Sequence, residues 1–269
     1  MKYFNENISN IISDDPTFLC NSFAKKGCLK GLIYLHENGY QWDETTINVI
    51  LMEGHIDCLK YAHNNKCYWN KKESIDIALQ NGNLKCMKYA YENDCPCIGK
   101  ELYISKKINI ECLKYALDIG YTLNKNNACC TFASLGKPDC LEYVHSKGCV
   151  LDEDVLYSLS EQIYFTGNHK KCFMYAMNNG CLKYAEESVN SKNSSLCTDA
   201  AENANIGFLN CSKQFGFYID FETVKEAIQA ESMPCLKFCI ENGCPCDIPK
   251  ILDDYYLDYS CEDYLKSLL

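Results

Sequence analysis

Apolar and polar positions along this chain follow a pattern that returns about every 26 to 28 residues, with two longer steps late in the chain. The pattern is clearest over residues 53–70, EGHIDCLKYAHNNKCYWN, and it returns at residues 81–98 and 230–247. With Cys58 as the anchor, the equivalent residues are Gly31, Cys86, Cys112, Cys140, Cys172, Phe208 and Cys235. A period of this size is typical of proteins built from stacked repeats.

Each repeat is predicted to hold two short helices. In the second repeat, Asp43 caps a first helix over residues 44–53, Gly54 and His55 end it, and a second helix covers residues 58–65. The same capping pattern is expected at Asn70, as a capping box with Glu73, and at Asp220. Helices of this length are unstable alone, so each pair must bury its apolar side against the next.

Three positions relative to the anchor carry this prediction. The next residue is always apolar, and a glycine eight residues later is expected to close the second helix: Gly39, Gly120, Gly148, Gly180, Gly216 and Gly243. The residue eight before the anchor supplies the buried side of the first helix: Phe23, Ile50, Ala78, Ile104, Phe132, Tyr164, Ala200 and Ala227.

The predicted domains are a capping helix over residues 1–14, an array of about eight repeats over residues 15–246, and a cap over residues 247–269. The array begins at Asp15 and Pro16 and is irregular over residues 152–217. Within that region we expect a longer first helix over residues 152–165. Residues 182–195 form either an exposed loop or a short extra helix.

Composition narrows the class of protein. The chain has 269 residues and is 47% hydrophobic and 23% charged, which is too apolar for a disordered chain. Its net charge of −10 argues against a nucleic-acid partner. The sequence shows neither a secretion signal nor an apolar run that approaches a membrane span, so we expect no membrane partner and a cytoplasmic location.

The chain contains 21 cysteines, which are expected to be reduced. Eleven fall in two repeat positions, the anchor and the residue nine later: Cys58, Cys86, Cys112, Cys140, Cys172, Cys235, Cys67, Cys95, Cys149, Cys181 and Cys244. This periodicity indicates small buried hydrophobic residues. The alternative is a cysteine-based metal-binding or redox protein, with Cys95-Pro96-Cys97 and Cys244-Pro245-Cys246 as candidate ligands. These pairs are spaced too tightly and lie too far apart for one shared zinc ion.

Catalytic chemistry is not indicated. His36, His63 and His145 share one repeat position, and His55 and His169 share another, as scaffold residues do. Neither a nucleophile with its base nor a glycine-rich phosphate loop stands out from the repeat. We therefore predict a non-enzyme without catalytic, cofactor-binding or metal-binding residues. Trp42 and Trp69 are interpreted as covering the seams between repeats, with an interface role as the alternative.

The segments ALQNGNLKCM at residues 78–87 and EGHIDCLKY at residues 53–61 resemble the ankyrin repeat. Gly54-His55 stands in the family's Gly-His position, and Gly148-Cys149 stands in its Gly-Ala position. The cysteine- and tyrosine-rich form looks like the divergent ankyrin proteins that amoeba-infecting giant viruses carry in large paralogous sets. The resemblance covers about residues 15–250. It implies an all-α solenoid of stacked helix–turn–helix repeats with short inter-repeat loops, but about six residues per repeat are missing where the family has its projecting β-hairpin.

The resemblance also implies a protein-binding module, within the host cytoplasm if the chain is viral. In the family, the ends of the first helices line a concave surface that holds partners. The equivalent residues, which vary between repeats here, are Lys25, Lys26, Met52, Glu53, Gln80, Asn81, Lys106, Lys107, Ser134, Leu135, Glu202, Asn203 and Gln229. We expect a monomer that binds one protein partner, a host protein, on this surface; self-association in an assembly role is the remaining alternative.

Overall fold

A computed structural model describes residues 17–96, 99–181 and 195–269. These residues form seventeen α-helices and one π-helical turn, and contain no strand beyond an isolated bridge between Glu101 and Thr122. The chain divides into two compact units, residues 1–123 and 124–269, and each is described by itself. The all-α prediction, without prominent β-hairpins, is confirmed for the described residues.

The first unit contains seven of the described helices. They are α1 (Phe18–Lys25), α2 (Leu29–Glu37), α3 (Glu44–Glu53), α4 (Ile56–Asn64), α5 (Ser74–Gln80), α6 (Leu84–Glu92) and α7 (Ile110–Asp118).

The second unit contains the other ten described helices and the π-helical turn Met177–Cys181, which follows α11. They are α8 (Ala128–Ser134), α9 (Pro138–Ser146), α10 (Glu153–Ser160), α11 (Gly167–Ala176), α12 (Ser195–Glu202), α13 (Ile206–Gln214), α14 (Phe221–Gln229), α15 (Met233–Glu241), α16 (Ile248–Asp254) and α17 (Tyr259–Lys266).

The predicted start and end of α3 are confirmed. The Asp43 carboxylate accepts a hydrogen bond from the backbone N–H of Thr45 at 2.9 Å, and the Thr46 hydroxyl accepts one from the N–H of Asp43. These bonds satisfy donors that the first helical turn leaves unpaired. Gly54 ends the helix in the left-handed conformation, with φ of 83°.

The two other predicted caps differ in outcome. Asp220 caps α14, as expected, by accepting from the N–H of Thr223 at 3.1 Å. The capping box at Asn70 is wrong, because α5 begins only at Ser74. Asn70 instead closes a turn, in which its side chain accepts from the N–H of Lys72 and its carbonyl accepts from the Ser74 hydroxyl.

Within the first unit, first helices pack on first helices and second helices on second helices. The first row is α1, α3 and α5, and the second is α2, α4, α6 and α7. The residue after each anchor is fully buried in this stack, at Leu32, Leu59, Met87 and Leu113. The stacked helix–turn–helix arrangement is therefore present in this unit, and it removes from water the apolar stripes that short helices expose.

The fourth repeat lacks its first helix. Residues 101–109 are extended or turned, so Ile104 lies on no helix, and Lys106 and Lys107 lie on a turn instead of at a helix end. This part of the prediction is wrong. The segment pairs with the end of its own repeat, where the N–H of Leu102 donates to the carbonyl of Thr122 at 2.8 Å. That pairing competes with helical hydrogen bonds and still buries Leu102.

The second unit repeats the two-row arrangement. Its first helices pack in the order α8, α10, α12, α14, and its second helices in the order α9, α11, α13, α15, α17. The predicted helix over residues 152–165 is too long, because α10 ends at Ser160. Tyr164 was assigned to the buried side of that helix, but it is 83% exposed in the loop that follows. The longer spacing between the anchors Cys140 and Cys172 therefore comes from an inserted loop.

The C-terminal region continues the helical packing, since α17 contacts both α15 and α16 and buries Cys261 and Leu265. The N-terminal capping helix, the array start at Asp15 and Pro16, Cys97, and residues 182–194 of the predicted loop lie outside the described residues. The division into two caps and an array remains a prediction.

The residue that closes a second helix has positive φ even in repeats where it is not glycine. Five of the six glycines predicted to close second helices have positive φ: Gly39, Gly120, Gly148, Gly216 and Gly243. Lys66 and Asp94 occupy the same position in the second and third repeats, with φ of 61° and 62°. A side chain disfavours this conformation by about 1 kcal/mol or more, so the packed helices on either side impose it.

Histidine, tyrosine and tryptophan side chains of successive repeats contact one another between the second helices. The Nδ1 atom of His36 lies 3.0 Å from the hydroxyl oxygen of Tyr61, and the same pair recurs at 2.9 Å for His63 with Tyr89 and for His145 with Tyr175. Trp42 stacks on His36 at 4.0 Å between ring centroids, and Trp69 contacts the rings of His63 and Tyr89. These histidines and both tryptophans therefore pack at the seams between repeats.

Replacing Leu59 with aspartate tests the assignment of the buried side. Leu59 is fully buried on α4, so Leu59→Asp places an unpaired charge in the core and should lower the free energy of unfolding by about 4 kcal/mol or more. Lys60→Asp, at the exposed neighbouring position, should change it by less than about 0.5 kcal/mol. Urea unfolding followed by circular dichroism measures both values. Equal midpoints for Leu59→Asp and the wild type would contradict the assignment.

The His63 ring should make stability depend on pH. Burial, and secondarily the positive charge of Lys71, lowers the pKa of His63. A histidine that binds its proton less readily when folded favours the unfolded state as pH falls below about 6.5. The wild type should therefore lose stability between pH 7 and pH 5.5, and His63→Gln should lose less. Asn64→Gln, at the exposed next position, is the control and should follow the wild-type curve in urea unfolding at each pH.

Candidate functional site

Side chains in the turn between the two helices of a repeat bind the backbone of the preceding repeat. In the first unit, His55 Nε2 donates to the carbonyl of Lys25 at 3.1 Å, and Asn83 Nδ2 donates to the carbonyls of Leu51 and Met52 at 2.8 and 2.9 Å. These carbonyls belong to the last turn of a first helix, where helical partners are absent. Each such contact, which we call a cross-repeat tie, therefore fixes the end of a first helix.

The second unit uses the same device. His169 Nε2 donates to the carbonyl of Ser134 at 3.0 Å, and Asn205 Nδ2 donates to the carbonyls of Leu159 and Ser160 at 2.9 and 3.0 Å. The sequence analysis placed His55 and His169 in one scaffold position, and the structure shows that asparagine performs the same role there. Two residue types that donate from a planar nitrogen are thus interchangeable at this position.

Glycine at the end of the first helix makes room for the tie. A Cβ atom on Gly27 would lie 2.5 Å from the His55 ring, and one on Gly54 would lie 2.5 Å from the Asn83 side chain. Both glycines also have positive φ, at 63° and 83°. The turn and the approach of the next repeat therefore both require glycine at these positions.

The cross-repeat ties hold the backbone of the predicted partner-binding residues at the ends of α1, α3 and α8, and most of the predicted side chains are exposed. In the first unit, Lys25, Lys26, Met52 and Glu53 are exposed, and Gln80 and Asn81 are half-buried. They occupy the ends of α1, α3 and α5, which pack side by side.

Lys107 joins this group from the turn in the fourth repeat. Its Nζ atom donates to Asn81 Oδ1 at 3.0 Å. Lys106, beside it, is exposed. Although the fourth repeat has no first helix, Lys107 therefore still reaches the end of α5.

In the second unit the predicted residues occupy the ends of α8, α12 and α14. Glu202 and Gln229 are exposed, whereas Ser134, Leu135 and Asn203 are half-buried. The end of α10, Ser160 and Glu161, belongs to the same row, and the sequence analysis missed it. A fixed spacing from the anchor places the end of this helix too late, because the repeat carries an insertion.

The cysteines are buried within the packing. All eleven at the two repeat positions lie below one-tenth exposure, as the periodicity predicts. Burial foremost, with nearby Asp43 or Asp152 adding to it, raises the pKa of Cys67 and of Cys181 to about 12. A thiol with such a pKa stays protonated at neutral pH and is a poor nucleophile.

The protonated thiols also donate hydrogen bonds. Cys67 Sγ donates to the carbonyl of Asp43 at 3.3 Å, Cys181 Sγ to that of Asp152 at 3.2 Å, and Cys244 Sγ to that of Asp220 at 2.9 Å. In each case the acceptor is the residue that precedes the first helix of the same repeat. These cysteines therefore link the end of a repeat to its beginning, a structural role that requires the thiol form.

Neither a metal site nor a membrane span is formed by the described part of the chain. Its His, Cys, Asp and Glu side chains do not gather in any group of three or more that could hold a metal ion. Of the tightly spaced pairs, Cys95, Cys244 and Cys246 are described and Cys97 is not. None of the described helices is long and apolar enough to cross a membrane.

Comparison with known proteins yields similarity to solved structures. No protein-family model and no curated protein sequence matches the chain. The fold is similar to the crystal structure of the human ASB11 ankyrin repeat domain, with 12% sequence identity and a TM-score of 0.35, over 85% of this chain and 99% of that one. At this TM-score the similarity carries no argument about binding, and the stacked-repeat architecture rests on the helix contacts of the chain itself.

Proposed function

We propose that this chain is a non-catalytic scaffold that binds a protein partner through the ends of its first helices. The observation that carries the proposal is the contrast between backbone and side chains there. Cross-repeat ties hold the backbone in register from repeat to repeat, whereas the side chains vary between repeats, for example from Lys25 and Lys26 to Met52 and Glu53. A rigid row with variable side chains suits specific recognition, because little conformational entropy is lost on binding.

The first unit supplies a compact candidate surface of mixed character. Lys25 and Lys26 carry positive charge, Glu53 carries negative charge, and the exposed Met52 side chain lies beside Glu53 at the end of α3. Methionine adapts to irregular apolar surfaces, and charges at the rim select partners by complementarity. We extend the proposal to the other predicted residues. In the first unit they are Gln80, Asn81, Lys106 and Lys107, and in the second unit they are Ser134, Leu135, Glu202, Asn203 and Gln229.

The resemblance to the ankyrin proteins of giant viruses supports a host protein as the partner and the host cytoplasm as the location. A monomer suits this proposal, since one set of first-helix ends then faces one partner. A metal-binding or redox function gains no support from the buried, protonated thiols.

Affinity capture from amoeba cytosol, with charge-reversed variants, tests the proposed surface. Lys25→Glu/Lys26→Glu reverses two charges at the end of α1 and should weaken capture of the partner about tenfold or more, as loss of about 1.4 kcal/mol implies. Lys106→Glu/Lys107→Glu tests the turn beside α5 in the same way.

Lys30→Glu/Lys60→Glu is the matched control, because it makes the same change in net charge on exposed positions of the second helices α2 and α4. The control should bind within about twofold of the wild type. Equal weakening by all variants would point to net charge alone. Unchanged capture by both the Lys25→Glu/Lys26→Glu and the Lys106→Glu/Lys107→Glu variants would refute the proposed surface in the first unit.

A further inference from the structure

The sixth repeat carries an inserted loop, residues 161–166, between α10 and α11, which we call the repeat-six loop. The equivalent turn in the second repeat consists of Gly54 and His55 only. The repeat-six loop exposes two large apolar side chains in succession, Ile163 at 67% and Tyr164 at 83%. Adjacent exposed apolar side chains form a small apolar patch, the kind of surface against which a partner protein can pack.

Both ends of the repeat-six loop are anchored. Gln162 Nε2 donates to the carbonyl of Ser158 at 2.7 Å, which ties the loop to α10. At the other end, the Thr166 backbone and side chain both contact His169 Nδ1, at 3.0 and 2.9 Å.

Phe165 anchors the loop from within. Its ring lies against Phe208, with centroids 6.4 Å apart, and against His169, with centroids 5.7 Å apart. Gly207 allows this packing, because a Cβ atom there would lie 2.5 Å from the Phe165 ring. Phe165 therefore turns inward while Ile163 and Tyr164 point to solvent, and these two side chains are presented from a held backbone.

The loop lies within the row of first-helix ends in the second unit. His169, in the helix that follows the loop, ties the end of α8 at Ser134, and Asn205 ties the end of α10 at Ser160. The exposed apolar pair therefore belongs to the row that the proposed function uses.

Acidic side chains lie beside the loop. Glu161 begins it and Glu202 ends α12, and both are exposed. The helix that ends before Glu161, α10, packs against α12, which contains Asp199 and Glu202. Burial foremost, and then the negative charges of Glu202 and Glu161, raises the pKa of Asp199. Lys170 and Lys171 follow in α11, and the Lys170 charge acts on Cys211 of α13. The carboxylates of Glu161, Asp199 and Glu202 therefore lie near the ends of two packed helices, beside the start of the loop.

We propose that Ile163 and Tyr164 dock into an amphipathic segment of a partner protein whose apolar strip is flanked by lysine and arginine side chains. The apolar pair supplies the buried contact, with tyrosine among the residues most often dominant in interfaces. Glu161, Asp199 and Glu202 supply the charge complement, and they disfavour an anionic membrane surface. This rests on the proposed function and names the chemistry of the partner at one point of the row.

A pair of synthetic peptides provides the probe. One is an amphipathic helix of about 18 residues with a leucine strip flanked by lysine and arginine, and the other has glutamate at each basic position. Fluorescence anisotropy with the full chain should show the basic peptide binding about tenfold or more tightly than the acidic one. Hydrogen exchange should show protection of residues 161–166 when the basic peptide is bound.

Variants then test the two parts of the surface separately. Ile163→Ser/Tyr164→Ser should weaken the basic peptide about tenfold or more, and Glu161→Lys/Glu202→Lys should reverse the preference between the peptides. Tyr256→Ser, at a tyrosine that is 94% exposed elsewhere in the same unit, should leave binding unchanged. Thermal unfolding should be the same for all these variants, since none of the replaced side chains is buried.

Three results would overturn the proposal: equal binding of the two peptides, wild-type binding by Ile163→Ser/Tyr164→Ser, or failure of the basic peptide to bind. Concentration-dependent dimerisation that this variant abolishes would assign the loop to a second copy of the chain, and loss of binding to anionic vesicles would assign it to a membrane. These results are independent of the capture experiment with the Lys25 and Lys26 variants. The proposed function can therefore hold even if the proposal for the repeat-six loop is refuted.

Discussion

Burial of short helices against the next repeat is the constraint on which the rest of this structure depends. The described helices contain seven to ten residues, a length that is unstable in water without tertiary contacts. Leu59 and its equivalents leave water only because the second helices pack on one another, and the first helices pack likewise. The stability of a repeat is therefore inseparable from that of its neighbours within the unit.

The polar contacts between repeats follow from this packing. Where two first helices lie side by side, the last carbonyls of one face the turn of the next repeat, and His55 or Asn83 satisfies them. In the second row, His–Tyr pairs connect the side chains of successive repeats. Because these contacts use backbone acceptors and inward-facing rings, the outward side chains at first-helix ends are left to vary. A single arrangement thus gives both a rigid frame and a surface that can be specialised.

The cysteines illustrate how a chemically reactive residue becomes a structural one. Burial raises the pKa of thiols such as Cys67, and the proton that is retained forms a hydrogen bond to the carbonyl before the first helix. A small apolar side chain with a weak donor fits this closed position. Eleven of the 21 cysteines recur with the repeat, and at these positions burial and hydrogen bonding give the thiol a structural role.

Periodicity alone determined the repeat length, the buried residue after each anchor, the α3 boundaries at Asp43 and Gly54, and five glycines with positive φ that close second helices, because each repeat supplies the same signal independently. It could not determine where a repeat departs from the pattern. The loss of the first helix over residues 101–109 depends on pairing between Leu102 and Thr122, and the exposure of Ile163 and Tyr164 depends on Phe165 packing against Phe208. Those partners are 20 or more residues apart in the chain. Only the tertiary structure decided these features, because a contact between distant residues leaves no mark in the local spacing of apolar positions.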